Sequence, residues 1–289
     1  MCNQPLVHPR TTTLRRVADI SRRMMDKSYL DGSGLPVIVT DDLARQPAFN
    51  SWSFDLFKHR YGQDELELWD DIDRPEVKVT CTMSKYVDYI RNPEGSSLTG
   101  LERNARLYAY GYQPFLEHPE LLEDIEDPYC IDNLLDLLSP AARKVLSNMD
   151  GSPAGQWVFI GPAGTVSHLH TDYTSAWLAQ ITGRKLCLLF SPEDSEYLYD
   201  GAVDPLRPDF DAFPLYANAT PHMGTLEPGE TLVMPQGWWH HVVAIEPSIT
   251  VSFNFVTRAN FGEFFEDILC DHQEVGDSLA NVFAMGRAA

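Results

Sequence analysis

Apolar positions along the chain change period near residue 150. From Gln156 to Arg258, short apolar runs alternate with Gly/Pro turns: Trp157–Ile160, Thr165–His170, Ala176–Ile181, Lys185–Phe190, Thr220–Leu226, Thr231–Met234, Trp239–Ile245 and Ile249–Val256. Runs of this length and spacing predict short strands that close into an all-β sandwich or barrel. The first half is mixed. A helix is expected at about residues 12–27, where Leu14, Val17, Ile20 and Met24 fit an apolar stripe, followed by a strand at Leu35–Val39. Helices at Trp52–Tyr61 and Met83–Arg91 flank Val77–Thr82, whose β-branched alternation reads as a strand. Arg106–Tyr110 reads as another strand. Residues 117–148 read as helical, broken near Pro128 and restarted at Ser139-Pro140, with serine as cap and proline in the first turn. Residues 260–270 and 276–285 read as amphipathic helices. The expected architecture is mainly β with helices, a single domain of three parts: N-terminal α/β elements over 1–150, a β core over 151–258 and C-terminal helices over 259–289.

Length and composition narrow this picture. The chain has 289 residues, 44% hydrophobic and 11% aromatic, which suits one large globular core. Its formal charge of −20 sets it against nucleic-acid backbones and anionic membranes as main partners, since both would repel it. No apolar run reaches the ~18 residues of a membrane span. Five scattered cysteines without a C-x-x-C pair suit a reducing, cytoplasmic setting and argue against a zinc-cysteine site. The acidic runs Asp64–Asp73 and Glu120–Asp127 read as solvated faces.

Candidate chemistry is concentrated in the β region. In Ser167-His168-Leu169-His170-Thr171-Asp172, an extended backbone would put His170 and Asp172 on one face, within reach of one ion. His168 falls on that same face but reads as a residue of the barrel mouth or surface. A second pair, His240-His241, follows the strand Thr231–Met234 and could bring an imidazole from a distant strand. Two histidines and one carboxylate on one side of a metal form the facial triad of non-haem Fe(II) oxygenases, which leaves positions open for cosubstrate and O2.

These motifs, together with Gln180-Ile181-Thr182-Gly183-Arg184-Lys185, Leu188-Leu189-Phe190-Ser191-Pro192 and Pro228-Gly229-Glu230-Thr231-Leu232-Val233-Met234-Pro235 before Trp238-Trp239-His240, are similar to those of JmjC or cupin-like hydroxylases. Within that family the likeness is to the asparaginyl hydroxylase type acting on hypoxia-inducible factor. It covers about residues 156–257, with a weaker match at Arg106-Leu107-Tyr108. The resemblance implies a double-stranded β-helix (jelly-roll, cupin) that binds Fe(II) and uses 2-oxoglutarate and O2 as cosubstrates. It implies His170, Asp172 and His240 as metal ligands and catalytic residues. Lys185 matches the lysine that pairs with the distal carboxylate of 2-oxoglutarate; Tyr108, Ser167 and Asn254 match further cosubstrate contacts. The family type has asparagine where this chain has Ala176, and tryptophan where it has Val256, both lining the active site there, so the resemblance does not carry over the substrate.

The reaction this implies is hydroxylation of an unactivated C–H in a protein or peptide side chain, or in an amino acid or natural-product intermediate. A non-catalytic cupin-like binding protein and a lysine demethylase-type JmjC enzyme are the alternatives. As the sole charge entering the apolar strand Lys185–Phe190, Lys185 also suits a buried anion on physical grounds alone. The cationic centre expected from Fe(II), Lys185 and nearby Arg184 leaves the overall acidity to act on the second substrate, favouring a neutral or basic one. Substrate specificity is expected from residues 50–130 and 197–219. A C-terminal stripe of Phe261, Phe264, Phe265, Ile268 and Leu269 is expected either to join two copies as a homodimer or to pack on its own barrel.

Overall fold

The computed structural model describes residues 10–31, 34–70, 78–95, 98, 106–138, 140–147, 154–264 and 266. Its strands are β1 (Thr12–Thr13), β2 (Arg15–Val17), β3 (Val37–Val39), β4 (Glu65–Trp69), β5 (Lys78–Thr82), β6 (Gln156–Gly161), β7 (Val166–His170), β8 (Ser175–Thr182), β9 (Lys185–Phe190), β10 (His222–Leu226), β11 (Thr231–Met234), β12 (Trp239–Ala244) and β13 (Ser248–Phe255). Every strand expected in the barrel region forms, with ends shifted by no more than about two residues, within ordinary boundary scatter.

These strands build two sheets. One has five strands in the order β1-β10-β9-β12-β7; the other has six, β2-β3-β11-β8-β13-β6. Apolar side chains from both pack together between them: Ile38, Leu178 and Leu232 from the larger sheet meet Cys187, Leu189 and Val242 from the smaller. Chain-distant strands lie side by side in each sheet, the arrangement of a jelly roll. On its other face the larger sheet carries Trp177, Ala179, Val251, Phe253 and Phe255, packed with Trp52, Phe57, Tyr86 and Phe115 of the N-terminal half. The segment 192–219 covers the other face of the smaller sheet, with Leu198 and Tyr216 against Leu188, Phe190 and Trp239.

The N-terminal half departs from several expectations. Residues 12–17 are not helical. Thr12–Thr13 pair in parallel with β10, and Arg15–Val17 with β3. Leu14 between them is 3% exposed, in the cluster between the sheets, whereas Met24 is 54% exposed. An open sheet edge on either side offered hydrogen bonds that outweigh the local helical stripe, and Asp19 turns the chain at φ 51° before a short helix at Arg22–Met25. Over 117–138 the helical expectation also fails. The segment is made of 3-10 turns at Pro119–Glu123 and Leu134–Leu137 joined by extended chain, and only Pro140–Ser147 is α-helical. Pro114, Pro119 and Pro128 each bias the preceding residue away from helix. The backbone bonds outward instead, as from Leu134 N–H to the Val256 carbonyl at 2.7 Å.

Helices Phe54–Arg60 and Met83–Arg91 form as expected, and strand β5 between them finds an unanticipated partner in β4. In β4, Leu66 and Leu68 are buried while Glu65 and Glu67 are exposed, so the acidic run hides a strand of period two. Arg106–Tyr110 makes only single bridges, Tyr108 to Trp69 and Ala109 to Ile160, which tie this hairpin to β6. The C-terminal expectation lies mostly outside the described residues. Within them, a helix begins at Phe261 and Phe264 is buried.

Candidate active site

Three local features set His170, Asp172 and His240 in place. In β7, His170 lies opposite His240 of β12, but Ser167 lies opposite Val242, so two residues of β7 face one residue of β12. This bulge turns the strand between Ser167 and His170. Ser167 and His170 both line the central cavity, whereas the ring of His168 lies 6.2 Å from that of His241, which is also absent from the lining. Strict alternation would have put His168 beside His170; the bulge removes it. Secondly, the backbone carbonyls of His168 and Trp238 hold the Nδ1 atoms of His170 and His240 at 2.6 and 3.1 Å. Those bonds leave the Nε2 atoms free to converge, since a ligating imidazole is oriented through its other nitrogen. Thirdly, Asp172 follows the end of β7, where its backbone carbonyl accepts from Gly237 N–H at 3.3 Å.

The outcome is a cluster of His170, Asp172 and His240 whose ligand atoms all lie within 4.8 Å of one another. His240 Nε2 stands 3.8 Å from Asp172 Oδ2, and the two imidazole centroids are 4.1 Å apart. Burial, reinforced by His170, pushes His240 down to about 4. It is therefore neutral at physiological pH, the form that ligates a metal. Two imidazoles and one carboxylate, brought together on one side of a cavity of about 440 Å3, fit a divalent transition metal with open positions.

Lys185 enters the same cavity from β9. Gly183, at φ 72°, makes the turn that starts this strand; a Cβ there would lie 2.2 Å from the Pro247 carbonyl oxygen. The buried Gln180 secures the turn, donating to the Thr182 and Gly183 carbonyls and accepting from the Thr250 hydroxyl. Lys185 itself is 3% exposed, and its Nζ lies 3.4 Å from the Tyr108 hydroxyl. Burial pushes its ammonium down to about 8. No carboxylate pairs with it among the described residues, so the cavity presents a buried cation to whatever anion enters.

The other expected contacts fall around this lysine. Ser167 and Asn254 line the cavity. Tyr108 stands behind Lys185, and Ser167 reaches its phenol. Ala176 faces the apolar cluster between the sheets, and Val256 is buried outside the lining. Arg184 does not add to the cationic centre. It is 42% exposed on its side chain and pairs with Glu246 at 2.7 Å. Residues 197–219 supply none of the lining, whereas 50–130 supply Tyr110, Gly111 and Gln113.

Sequence reasoning missed those three residues and the aromatic pair Trp157 and Phe159 of β6. Both faces of β6 are apolar, so its pattern gave no sign of which face opens on the cavity. It also misread two acidic side chains as solvated. Asp124 accepts from the Trp52 indole at 2.9 Å and Asp127 from the Trp177 indole at 2.6 Å. A buried indole N–H requires an acceptor, and each tryptophan is the signal that could have shown this.

Residues 24–261 match the family model described as cupin-like domain. The chain belongs to the cupin-like domain family. Its relatives include Lysine-specific demethylase JMJ21 of Arabidopsis thaliana, 26% identical over 288 positions, 94% of this chain and 28% of that protein. Lysine-specific demethylase 8 of Danio rerio is 29% identical over 266 positions, 87% of this chain and 60% of that protein. HSPB1-associated protein 1 of Homo sapiens is 30% identical over 201 positions, 62% of this chain and 38% of that protein. The chain thus spans about a quarter to three fifths of the length of these relatives. The family agrees with the jelly roll and with the motifs around His170, Asp172 and His240. Likeness to an asparaginyl hydroxylase rests on those motifs alone.

Proposed function

We propose that the protein is an Fe(II)- and 2-oxoglutarate-dependent oxygenase that hydroxylates a C–H bond of a second substrate. The observation that carries this reading is the pairing, in one cavity, of a His-Asp-His cluster with a buried lysine that has no acidic partner among the described residues. His170, Asp172 and His240 would hold the ion. Lys185, with Tyr108 behind it and Ser167 and Asn254 beside the cavity, would hold the far carboxylate of the cosubstrate. Bound together, ion and cosubstrate supply the oxidising chemistry: 2-oxoglutarate and O2 yield succinate and CO2, with one oxygen atom going to the substrate C–H. The protein's share is geometric. It fixes both imidazoles through backbone carbonyls, neutralises a dianion with a buried ammonium, and encloses the site between two sheets that limit water.

Incubation with Fe(II), O2 and 2-oxoglutarate tests the reading directly. Slow succinate formation even without second substrate is expected; none, with no binding of 2-oxoglutarate to the Mn(II)-loaded protein, would leave the non-catalytic cupin-like reading. Relatives named lysine-specific demethylases favour a second reading, in which the oxidised carbon is an N-methyl group. Release of formaldehyde from methyl-lysine peptides would select it over a stable product 16 Da heavier.

No helix among the described residues is long and apolar enough to cross a membrane. The buried free thiols of Cys81, Cys130 and Cys187 support a reducing compartment, the cytoplasm in this reading. In this reading its partners are a substrate, small or peptidic, and a second copy of the chain joined through the C-terminal apolar stripe of Phe261, Phe264, Phe265, Ile268 and Leu269. Sedimentation as a monomer would remove the dimer.

A further inference from the structure

We infer that Asn260 is a positioning residue for the metal centre: it lies outside the cavity and locks, from the start of the C-terminal helix, the turn that supports both Asp172 and His240. The inference rests on the oxygenase reading above, in which those two residues and His170 hold the ion. Its starting point is the connection Pro235-Gln236-Gly237-Trp238 between β11 and β12. Gly237 N–H donates to the Asp172 carbonyl at 3.3 Å, and the Trp238 carbonyl holds His240 Nδ1 at 3.1 Å. Adjacent residues of one turn therefore reach two of the three ligands. The turn closes on itself through Trp238 N–H and the Pro235 carbonyl at 3.3 Å, and Gly237 takes φ 75°. So short a connection has one internal bond, so its stiffness must come from what it is tied to.

Two anchors hold the turn. At one end the Trp238 indole donates to the Gly34 carbonyl at 2.9 Å. At the other, Gln236 N–H donates to the Ser175 hydroxyl oxygen at 3.1 Å. Asn260 Nδ2 donates to both of these residues, at 3.1 Å to Gln236 Oε1 and 3.3 Å to Ser175 Oγ. The orientation of its amide is fixed. Asn260 Oδ1 accepts from Thr257 N–H at 2.8 Å, a group that can only donate, so Nδ2 faces the turn. Ser175 stands three residues after Asp172. Asn260 thus gathers the segment that follows one ligand, the turn that supports two, and the C-terminal helix, whose Phe264 N–H bonds to the Asn260 carbonyl at 3.1 Å. At 7% exposure, with Ser175 at 3%, these bonds have little water to compete with them. A ligand held by a supporting shell is already ordered when the ion arrives; a loosened one must be ordered by the ion, at a cost in affinity. Asn133 supplies the contrast. It is also 7% exposed and uses both ends of its amide, but its partners are Asp127, Leu135 and Val256, away from the segments that carry Asp172 and His240.

The test titrates Co(II) into the whole chain without O2 and reads both affinity and the visible absorption of the bound ion, which reports the geometry of its ligands. Asn260→Ala should weaken Co(II) roughly three- to tenfold, less than the ~10–100-fold typical of a group bonded directly to a ligand, and should shift the absorption bands. Gln236→Ala should lose a similar factor. The double variant should lose about as much as the larger single loss, because both substitutions break the same bond. Asn133→Ala, the structural control, should lower the urea midpoint while Co(II) affinity stays within about twofold and the bands stay in place. Unchanged affinity and absorption in Asn260→Ala would overturn the inference. So would equal losses of affinity in Asn260→Ala and Asn133→Ala, or additive losses in the double variant. If Asn260→Ala does not fold, Gln236→Ala decides alone: its side chain is half-buried, and an unmoved spectrum there would overturn the inference. Wild-type protein that binds no Co(II), or binds it as tightly after Asp172→Ala, would overturn the oxygenase reading and this inference with it.

Discussion

The six-stranded sheet has two faces that share the same strands but differ in almost all their chemistry. Along β8, Ala176, Leu178 and Gln180 alternate with Trp177, Ala179 and Ile181. Along β13, Ser252 and Asn254 alternate with Val251, Phe253 and Phe255. The first set looks into the barrel, where small, apolar and hydrogen-bonding groups leave room for a metal, an anion and a substrate. The second set is large and aromatic, with Phe253 against Trp177 at 4.7 Å and against Phe115 at 5.1 Å. The inner face forgoes packing to keep a cavity open. The outer face supplies the packing that keeps those strands from closing on it. Division of labour of this kind implies that substitutions on the two faces should separate function from stability.

Replacing a proposed metal ligand gives the largest expected functional effect. Asp172→Ala should cost metal affinity more than the ~10–100-fold typical of losing an outer-shell partner, read by titrating Mn(II) or Co(II). Its carboxylate is 31% exposed, so the metal-free fold should lose less than about 1 kcal/mol in urea. A large loss of stability in this variant would mean that the inner face is not the dispensable one. Conversely, Phe253→Ala should destabilise the fold by about 3–5 kcal/mol while metal affinity stays nearly unchanged. If both properties fell together, the two faces would not be separable.

Lys185 tests the inner face from its other end. Lys185→Ala should weaken 2-oxoglutarate by roughly two to three orders of magnitude, read on the Mn(II)-loaded protein. A pH series sharpens the result. Burial holds the free lysine at about 8, and a bound dianion stabilises its charged form. Binding therefore draws on protonated lysine. Affinity should be flat below pH 8 and fall towards tenfold per pH unit above it, a decline that the alanine variant should lack.

The inner face was the more legible in the sequence. Strand spacing located the β core, the family motifs implied its jelly-roll form, and the spacing of His170 and Asp172 with those motifs pointed to His170, Asp172, His240 and Lys185, which the structure gathers in one cavity. What escaped notice depended on contacts between distant segments. The bulge that sends His168 away from His170 is visible only in the pairing of β7 with β12. The strands Thr12–Thr13 and Arg15–Val17 exist because each found an open sheet edge. Trp157 and Phe159 gave no sign of the cavity because an aromatic cavity wall and an aromatic core have the same composition. Asp124 and Asp127 looked like surface because the indoles they hold are 72 and 50 residues away along the chain.

Asp127 carries the smallest expected effect and the finest test of the outer face. It lies behind β8, accepting from the Trp177 indole and from Asn133 Nδ2 at 2.8 Å. Burial, with Asp136 nearby, pushes its carboxyl up to about 6 from an ordinary 3.8. The folded state thus holds its proton more tightly than the unfolded chain does. This sets the sign: below about pH 4 the group is neutral in both states and costs nothing, and ionisation penalises the fold increasingly as pH rises from 4 to 6. The wild type should lose on the order of 1–3 kcal/mol across that window relative to Asp127→Asn, whose side chain cannot titrate. Urea midpoints of the two proteins at closely spaced pH values measure the difference. Parallel pH profiles would show that the hydrogen bonds from Trp177 and Asn133 fully compensate the buried charge. The outer face would then be insensitive to acid, and its rigidity would come from aromatic packing alone.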